Sequence, residues 1–416
     1  MRKVFGWIAV VGAVFFLSGC NNNDDTQPTL YGLYGDYEST KVFKIDTREM
    51  KLVDTMDVSP AQGPYGVECD TPEEAFALTR AAESIAIINY RDDRVVDVVP
   101  LKFKPRSTAH RDNCDVVVVS GKSMPMAVTI GKEDHQVRHY FGDETTEPVD
   151  KANYFGGGNA TGHPYLLADG KRFLLLDRVN RRIALYSIDE ETPLAQIDTE
   201  TTAHHVLTLE TEHDKNGNGY YYVVLEGPAD ETNLSIPAAG IMKFEITADN
   251  RIVVDTIFHA DHEHGGAHHA RFYGDKYLFL PTYNNKVYVI DKNTMGEVAR
   301  FDAGKGGGHI TFSIPKRIAV VTNHKDTFVT VVDVSNPQNP KVLENIDVAK
   351  PLTAEELAAG KNAQAHTATF DKSGRYFYSV ANCDHKFYEI DTDYGWISRT
   401  CYLDGSYVPM GDFVYY

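Results

Sequence analysis

The sequence predicts an all-β fold, a single β-propeller of eight four-stranded blades. Three observations predict it: a β-rich strand that recurs eight times, a second strand ahead of most copies, and a chain end with the character of a strand that the chain start lacks. The recurring strand is rich in Val, Ile, Tyr and Phe, the residues that fit a pleated, half-buried surface, and often ends in Asp. Copies begin near Lys41 (K-V-F-K-I-D), Ser84, Gln136, Arg182, Gly240, Lys286, Phe328 and His385. Spacings of roughly 40–60 residues are those of propeller blades. Eight is the favoured count, with seven as the alternative because the copy at Gln136 is weak.

The preceding strands fall at residues 75–79, 116–120, 172–176, 220–225, 277–280, 317–322 and 376–380. Turn residues such as D-R-V-N-R and T-Y-N-N-K separate the two strands of a pair. Leu30 starts directly on a second strand, so the first blade lacks an inner one. Residues 407–416 have the missing character and are expected to close the ring by pairing with the N-terminal strands. Residues 353–360, T-A-E-E-L-A-A-G, read as a short helix capped by Thr353 and stopped by Gly360, inserted in the seventh blade. No linker divides the ring, which makes residues 29–416 one domain. N-P-Q-N-P at 336–340, after V-V-D-V-S, resembles the turn of LVIVD-type propeller repeats, and the ring is expected to be WD40/YVTN-like.

Of 416 residues, 42% are hydrophobic and 24% charged, an ordinary globular balance. A formal net charge of −18 argues against nucleic acid and anionic lipid as partners and favours attraction of cations. At the start, Arg2 and Lys3 precede an apolar run too short to span a bilayer comfortably, residues 4–17, ending in L-S-G-C. That ending resembles the bacterial lipobox. The resemblance implies a signal peptide over 1–19, cleavage before Cys20, acylation of its thiol as a membrane anchor, and a polar tether over 20–28. Asn21, rather than Asp, favours the periplasmic side of the outer membrane over the inner membrane. Four further cysteines, an even number in an exported chain, suggest disulfides, with Cys69 paired to Cys114 and Cys383 to Cys401. A thiolate metal site lacks C-x-x-C spacing.

Sixteen histidines carry the chemistry. A small residue followed by His recurs just ahead of the second strands: T-A-H at 108–110, T-G-H at 161–163, T-A-H-H at 202–205, G-A-H-H at 266–269, G-G-H at 307–309 and Q-A-H at 364–366. In a propeller the innermost strands line a central channel, and equivalent positions form rings. His110, His163, His204, His268, His309 and His366 would therefore converge, or His205 and His269 if the register slips by one, with Tyr65 at the equivalent place in blade two. Imidazole is a borderline donor that suits zinc; copper or nickel would also bind. Three or four neighbours, densest in His204, His268, His309 and His366, would hold one ion. A packing role against neighbouring backbone is the plainer alternative.

The second candidate is F-H-A-D-H-E-H-G-G at 258–266, where His262 and His264 on an extended loop could share an ion, assisted by His259, Asp261 or Glu263. Gly265 and Gly266 would make it mobile. A flexible acidic-histidine segment suits capture and transfer. His135, His139, His324 and His385 are expected to be structural. Arg106, Arg111 and Arg271 lie near the channel and could bind an anion or serve in salt bridges. The motifs G-x-S-x-G, H-E-x-x-H, the P-loop and the dinucleotide fingerprint are all missing.

An exported propeller with channel histidines and H-A-D-H-E-H is similar to the AztD family, periplasmic zinc metallochaperones of AztABC-type ABC transporters. The resemblance implies no catalysis, Zn2+ held by the histidine ring, and transfer from the loop to the transporter's solute-binding protein. The lipobox departs from a freely soluble chaperone. Histidine ligation predicts weaker binding as the pH falls through about 6.5. A metal-dependent hydrolase or oxidoreductase using the same histidines, and a lipoprotein scaffold, are the rival readings.

Overall fold

Why third strands so often end in Asp becomes plain in the computed structural model, which describes residues 28–144 and 153–416. Asp46 accepts hydrogen bonds from the backbone N–H of Arg48 at 2.7 Å and Glu49 at 3.0 Å, closing the tight turn into the fourth strand. Asn89, Asp291, Asp333 and Asp391 do the same in their blades. The repeat read in the sequence is thus a strand plus its turn.

Among the described residues there are eight four-stranded antiparallel sheets, one per blade. Blade 1 comprises Leu30–Gly35, Lys41–Asp46 and Lys51–Asp57, and its innermost strand is the C-terminal Met410–Tyr415. Register runs Leu30 opposite Tyr415 through Gly35 opposite Met410, so the ring closes as expected. The other blades follow in chain order, each from an inner to an outer strand. The middle two strands of each blade are buried in near-continuous apolar runs, whereas outer strands such as Lys51–Asp57 alternate exposed and covered residues. Clusters of buried side chains join neighbouring blades. Leu174, Leu176 and Leu185 of blade 4 meet Tyr221, Val223 and Phe244 of blade 5, and Phe43 and Ile45 of blade 1 meet Val380 and Phe387 of blade 8.

Three expectations need correction. The strand near Gln136, Val137–Gly142, is the outermost of blade 3; the third strand there is Met126–Gly131, M-A-V-T-I-G, which ends in Gly and lacks the closing Asp of blades 1, 6, 7 and 8. The helix Ala354–Ala358, with Thr353 and Glu356 in a reciprocal capping box, lies in the connection from blade 7 to blade 8 rather than within blade 7. All four cysteines are free thiols. Cys69 packs in the core shared by blades 1 and 2 and Cys114 in that of blades 3 and 4. Cys401 faces a core cluster from the strand Trp396–Tyr402, while Cys383 sits on a turn with Sγ 3.8 Å from the Asn362 carbonyl. The expected signal segment, Cys20 and most of the tether lie outside the described residues.

Candidate metal centre

The strand register decides which histidines meet. Pro64, Pro105, Thr161, Ala203, Ala267, Gly307 and Gln364 open the inner side of blades 2 to 8, each pairing with the end of its second strand. Two residues further on stand Gly66, Ser107, His163, His205, His269, His309 and His366, so blades 4 to 8 present an unbroken arc of imidazoles. One residue further on stand Tyr65, Arg106, Gly162, His204, His268, Gly308 and Ala365, a second layer with two more. Both registers weighed from the sequence are therefore used at once.

His110 is the exception, and it corrects the expected ring. It lies five residues past Pro105, beyond the short inner strand Pro105–Ala109, and is not among the residues lining the cavity. Its Nδ1 is 2.7 Å from Asp70 Oδ1, and that bond raises its pKa. T-A-H in blade 3 matched the others in letters but not in register.

The seven remaining histidines line a cavity of about 490 Å3. Ring centroids lie 3.7 Å apart for His269 and His309 and 4.0 Å for His204 and His268. An eighth ring, His324, was expected to be structural and instead packs on His366 at 4.4 Å. It comes from the end of the second strand of blade 7 and reaches inward because Gly308 leaves room: a Cβ on Gly308 would lie 1.9 Å from His324 Nε2. Gly308→Ala is therefore expected to displace His324 and destabilise the fold by about 1–3 kcal/mol, an overpacking cost. A urea midpoint equal to the parent's would count against this close packing.

Hydrogen bonds fix the tautomers. His205, His324 and His366 each hold Nδ1 near a carbonyl oxygen, of Val206 at 3.1 Å, Gln364 at 3.0 Å and Pro409 at 3.2 Å. A carbonyl only accepts, so Nδ1 carries the hydrogen and Nε2 presents a lone pair. Ser107 Oγ lies 2.9 Å from Glu68 Oε1 and 2.6 Å from His163 Nδ1; donating to the carboxylate, it accepts from His163 and frees that ring's Nε2. His204 differs: its Nδ1 accepts from Arg106 Nη2 at 3.1 Å, which puts the ring hydrogen on Nε2. Glu226 Oε1 comes within 3.0 Å of that Nδ1 without a hydrogen bond, its carboxylate being paired with buried Arg178. The Nε2 atoms of His204, His309 and His324 are buried without a partner. Two triads have ligand nitrogens within 4.8 Å of one another: His163, His205 and His269, and His204, His268 and His269. A tetrahedral zinc with bonds of about 2.0–2.1 Å needs neighbouring nitrogens about 3.3 Å apart, so small ring rotations would close either triad on an ion. Neutral, oriented imidazoles with open lone pairs fit such a metal.

Burial holds the pKa values of His163, His204, His268, His269, His309 and His366 well below the ordinary range, and neighbouring imidazoles and Arg106 or Arg271 push the same way. His205 and His324 are brought down to about 4, also by burial. The other charged groups near them include Glu68, Glu226, Asp412, Arg80, Arg178 and Lys325. With folded pKa values below the unfolded value of about 6.5, the unfolded chain takes up protons first. Stability from these rings is thus full above about pH 6.5 and is lost as the pH falls towards 4. The urea midpoint of metal-free protein is expected to drop steeply across that window, by about 1.4 kcal/mol per pH unit for each ring that stays neutral. A flat profile would mean hydrated imidazoles. The same shifts move proton competition with a metal below the expected 6.5.

The loop at 258–266 is ordered differently from expectation. His262–His264 form a single 3₁₀ turn, not an extended run, so His262 and His264 do not project together. The group within reach of one ion is Asp261, Glu263 and His264. Asp261 is held by Arg300 at 2.6 Å, which lowers its pKa, and His264 Nδ1 is bonded to the Tyr288 hydroxyl. His259 sits 3.2 Å from Glu200 and 3.2 Å from the Ala238 carbonyl. The loop joins the outer strand of blade 5 to the inner side of blade 6, so it runs from the rim to His268 and His269.

No family model matches the chain, and no curated protein matches it. Among solved structures it is similar to AztD from Citrobacter koseri, with TM-score 0.60 and 11% identity over 94% of this chain and 98% of that one. Against apo AztD from the same organism the TM-score is 0.57 at 10% identity, covering 93% and 98%. BamB from Moraxella catarrhalis gives 0.55 at 10% identity, covering 83% and 90%. At these identities the likeness is one of fold: the chain shares the propeller architecture of all three.

Proposed function

We propose that this protein is a zinc-binding metallochaperone that holds Zn2+ among the channel histidines and passes it to the solute-binding protein of a zinc ABC transporter. The observation that carries the reading is the tautomer pattern. Three rings that line the cavity, His163, His205 and His366, are set by a hydroxyl or a carbonyl on Nδ1 so that Nε2 keeps its lone pair, which packing alone does not require. The AztD-like fold and the acidic net charge support it. His163, His205 and His269, or His204, His268 and His269, would hold the ion, with His309, His324 and His366 alongside. Asp261, Glu263 and His264 would offer an outer stopping place on the loop that leads to them. Copper or nickel would satisfy the same donors. In this reading the chain is exported and tethered through Cys20 at the periplasmic side of the outer membrane, and does no chemistry on its cargo.

The test is the metal content of natively purified protein, followed by transfer to a metal-free acceptor. Zinc should be present, leave for the acceptor faster than it leaves for buffer, and do so without turnover of any substrate. Protein that purifies empty and binds no added zinc would return the histidines to a packing role.

A further inference from the structure

The cavity has a second face. On blades 2 and 3, where the ring positions carry no histidine, Arg80 and Arg106 line it instead. Both side chains are buried, with Arg80 8% and Arg106 3% exposed. Arg80 Nη2 donates to the Arg106 carbonyl at 2.9 Å, and its guanidinium carbon stands 3.7 Å over the Tyr65 ring. Arg106 Nη2 lies 3.1 Å from His204 Nδ1. That nitrogen accepts from the guanidinium, while Glu226 Oε1, 3.0 Å away, is left without a hydrogen bond. Arg80 Nε and Arg106 Nε and Nη1 have no acceptor at all. The third buried guanidinium, Arg178, shows the contrast: Glu226 answers it. Glu68 and Asp412 also line the cavity, but the oxygens of Glu68 are taken by Ser107 and Thr108 and those of Asp412 accept from the Cys69 and Phe413 N–H groups.

Two buried guanidinium groups with open donors are costly unless a charge of the other sign meets them. A divalent cation held only by neutral imidazoles would add to the excess. We infer that Arg80 and Arg106 form a binding site for a small oxyanion, a carboxylate or an inorganic phosphate or sulfate, that is held beside the metal cation in the same cavity. The planar N–H fork of arginine matches such an anion. An oxygen of the anion could complete a three-imidazole shell, and its charge offsets both the ion and the guanidinium groups. The way in is prepared as well. A recess of about 430 Å3 adjoins the cavity at Tyr65, Arg80 and Asn159 and is lined by Lys122 and by Lys361, which is paired with Glu38. The cation half of this inference rests on the proposed metal reading; the anion half rests on the open donors.

The experiment is a zinc titration of the metal-stripped full chain, read by competition with a chromophoric chelator, in perchlorate and then with acetate, inorganic phosphate or sulfate added. Calorimetric titration of the metal-free protein with each anion runs beside it. At least one oxyanion should tighten zinc binding by about tenfold, a coupling of ordinary size between two sites. Acetate alone acting would name a carboxylate; phosphate or sulfate would name a tetrahedral anion. In Arg106→Gln and Arg80→Gln the ratio of zinc affinities with and without anion should fall to about one, whatever happens to either affinity by itself. Zinc binding that ignores every anion, in a protein that takes up none of them when metal-free, overturns the site and leaves the metal reading standing. Anion uptake that needs Arg106, in a protein that never binds zinc, keeps the site and overturns the metal reading.

Discussion

Replacing His269 by Ala is expected to weaken zinc binding by at least about 100-fold, since even outer-shell changes around a metal cost roughly 10–100-fold. His269 is the one ring that belongs to both triads, and it stacks on His309 at 3.7 Å. Its loss leaves two imidazoles in either group, too few to desolvate a divalent ion. The cavity is already roomy, so the fold should survive the truncation, which circular dichroism would check. His110→Ala is the matched control: its ring is bonded to Asp70 outside the cavity and should leave zinc affinity where it was. Competition against a chromophoric chelator measures both. His269→Ala binding zinc as tightly as the parent would remove the triads from the account.

Deleting residues 410–416 is expected to abolish the native state altogether. The strand Met410–Tyr415 pairs along its whole length with Leu30–Gly35, and its side chains reach three separate cores. Phe413 packs on the cluster between blades 8 and 1, Val414 on that between blades 1 and 2, and Met410 on that between blades 2 and 3. Asp412 Oδ2 also accepts from the Cys69 N–H at 3.0 Å. These side chains are half-buried, so each is worth part of the about 1.5–3 kcal/mol of a fully buried one, and the exposed inner edge adds unpaired backbone groups. Together these rival the 5–15 kcal/mol that holds a typical domain folded. The truncated chain should show no cooperative urea transition and should aggregate. A sharp transition near the parent's midpoint would mean that the ring does not depend on its closing strand.

Blade number was legible because most third strands carry an apolar β-branched and aromatic run, and five of them end in a turn-closing Asp or Asn, at Asp46, Asn89, Asp291, Asp333 and Asp391. Blade 3 was misread where that mark is missing, at Met126–Gly131. The histidine arc was legible in outline because small residues clear the way for inward rings. Its membership was less so: His110 sits three residues out of step, which only the pairing of Pro105 with Gly121 exposes. His324 follows the second strand rather than lying on the inner one, and the signal that could have found it was the run G-G-G-H at 306–309, a glycine too many for the repeat. Cys69 and Cys114 misled because equivalence between blades places residues in different cores, and Cys383 and Cys401 because flanking one hairpin leaves the first on a turn and the second against a core. The arginine face lay beyond sequence reasoning, since open donors are a property of what surrounds a group.

One consequence of the two triads concerns traffic through the channel. In the proposed reading, because they hold a corner in common, they would not both be filled through it, and a single ion per molecule would be the natural loading. An ion moving from one to the other would keep its grip on His269 while two neighbours change places. It would then travel between the layers without being set free in water.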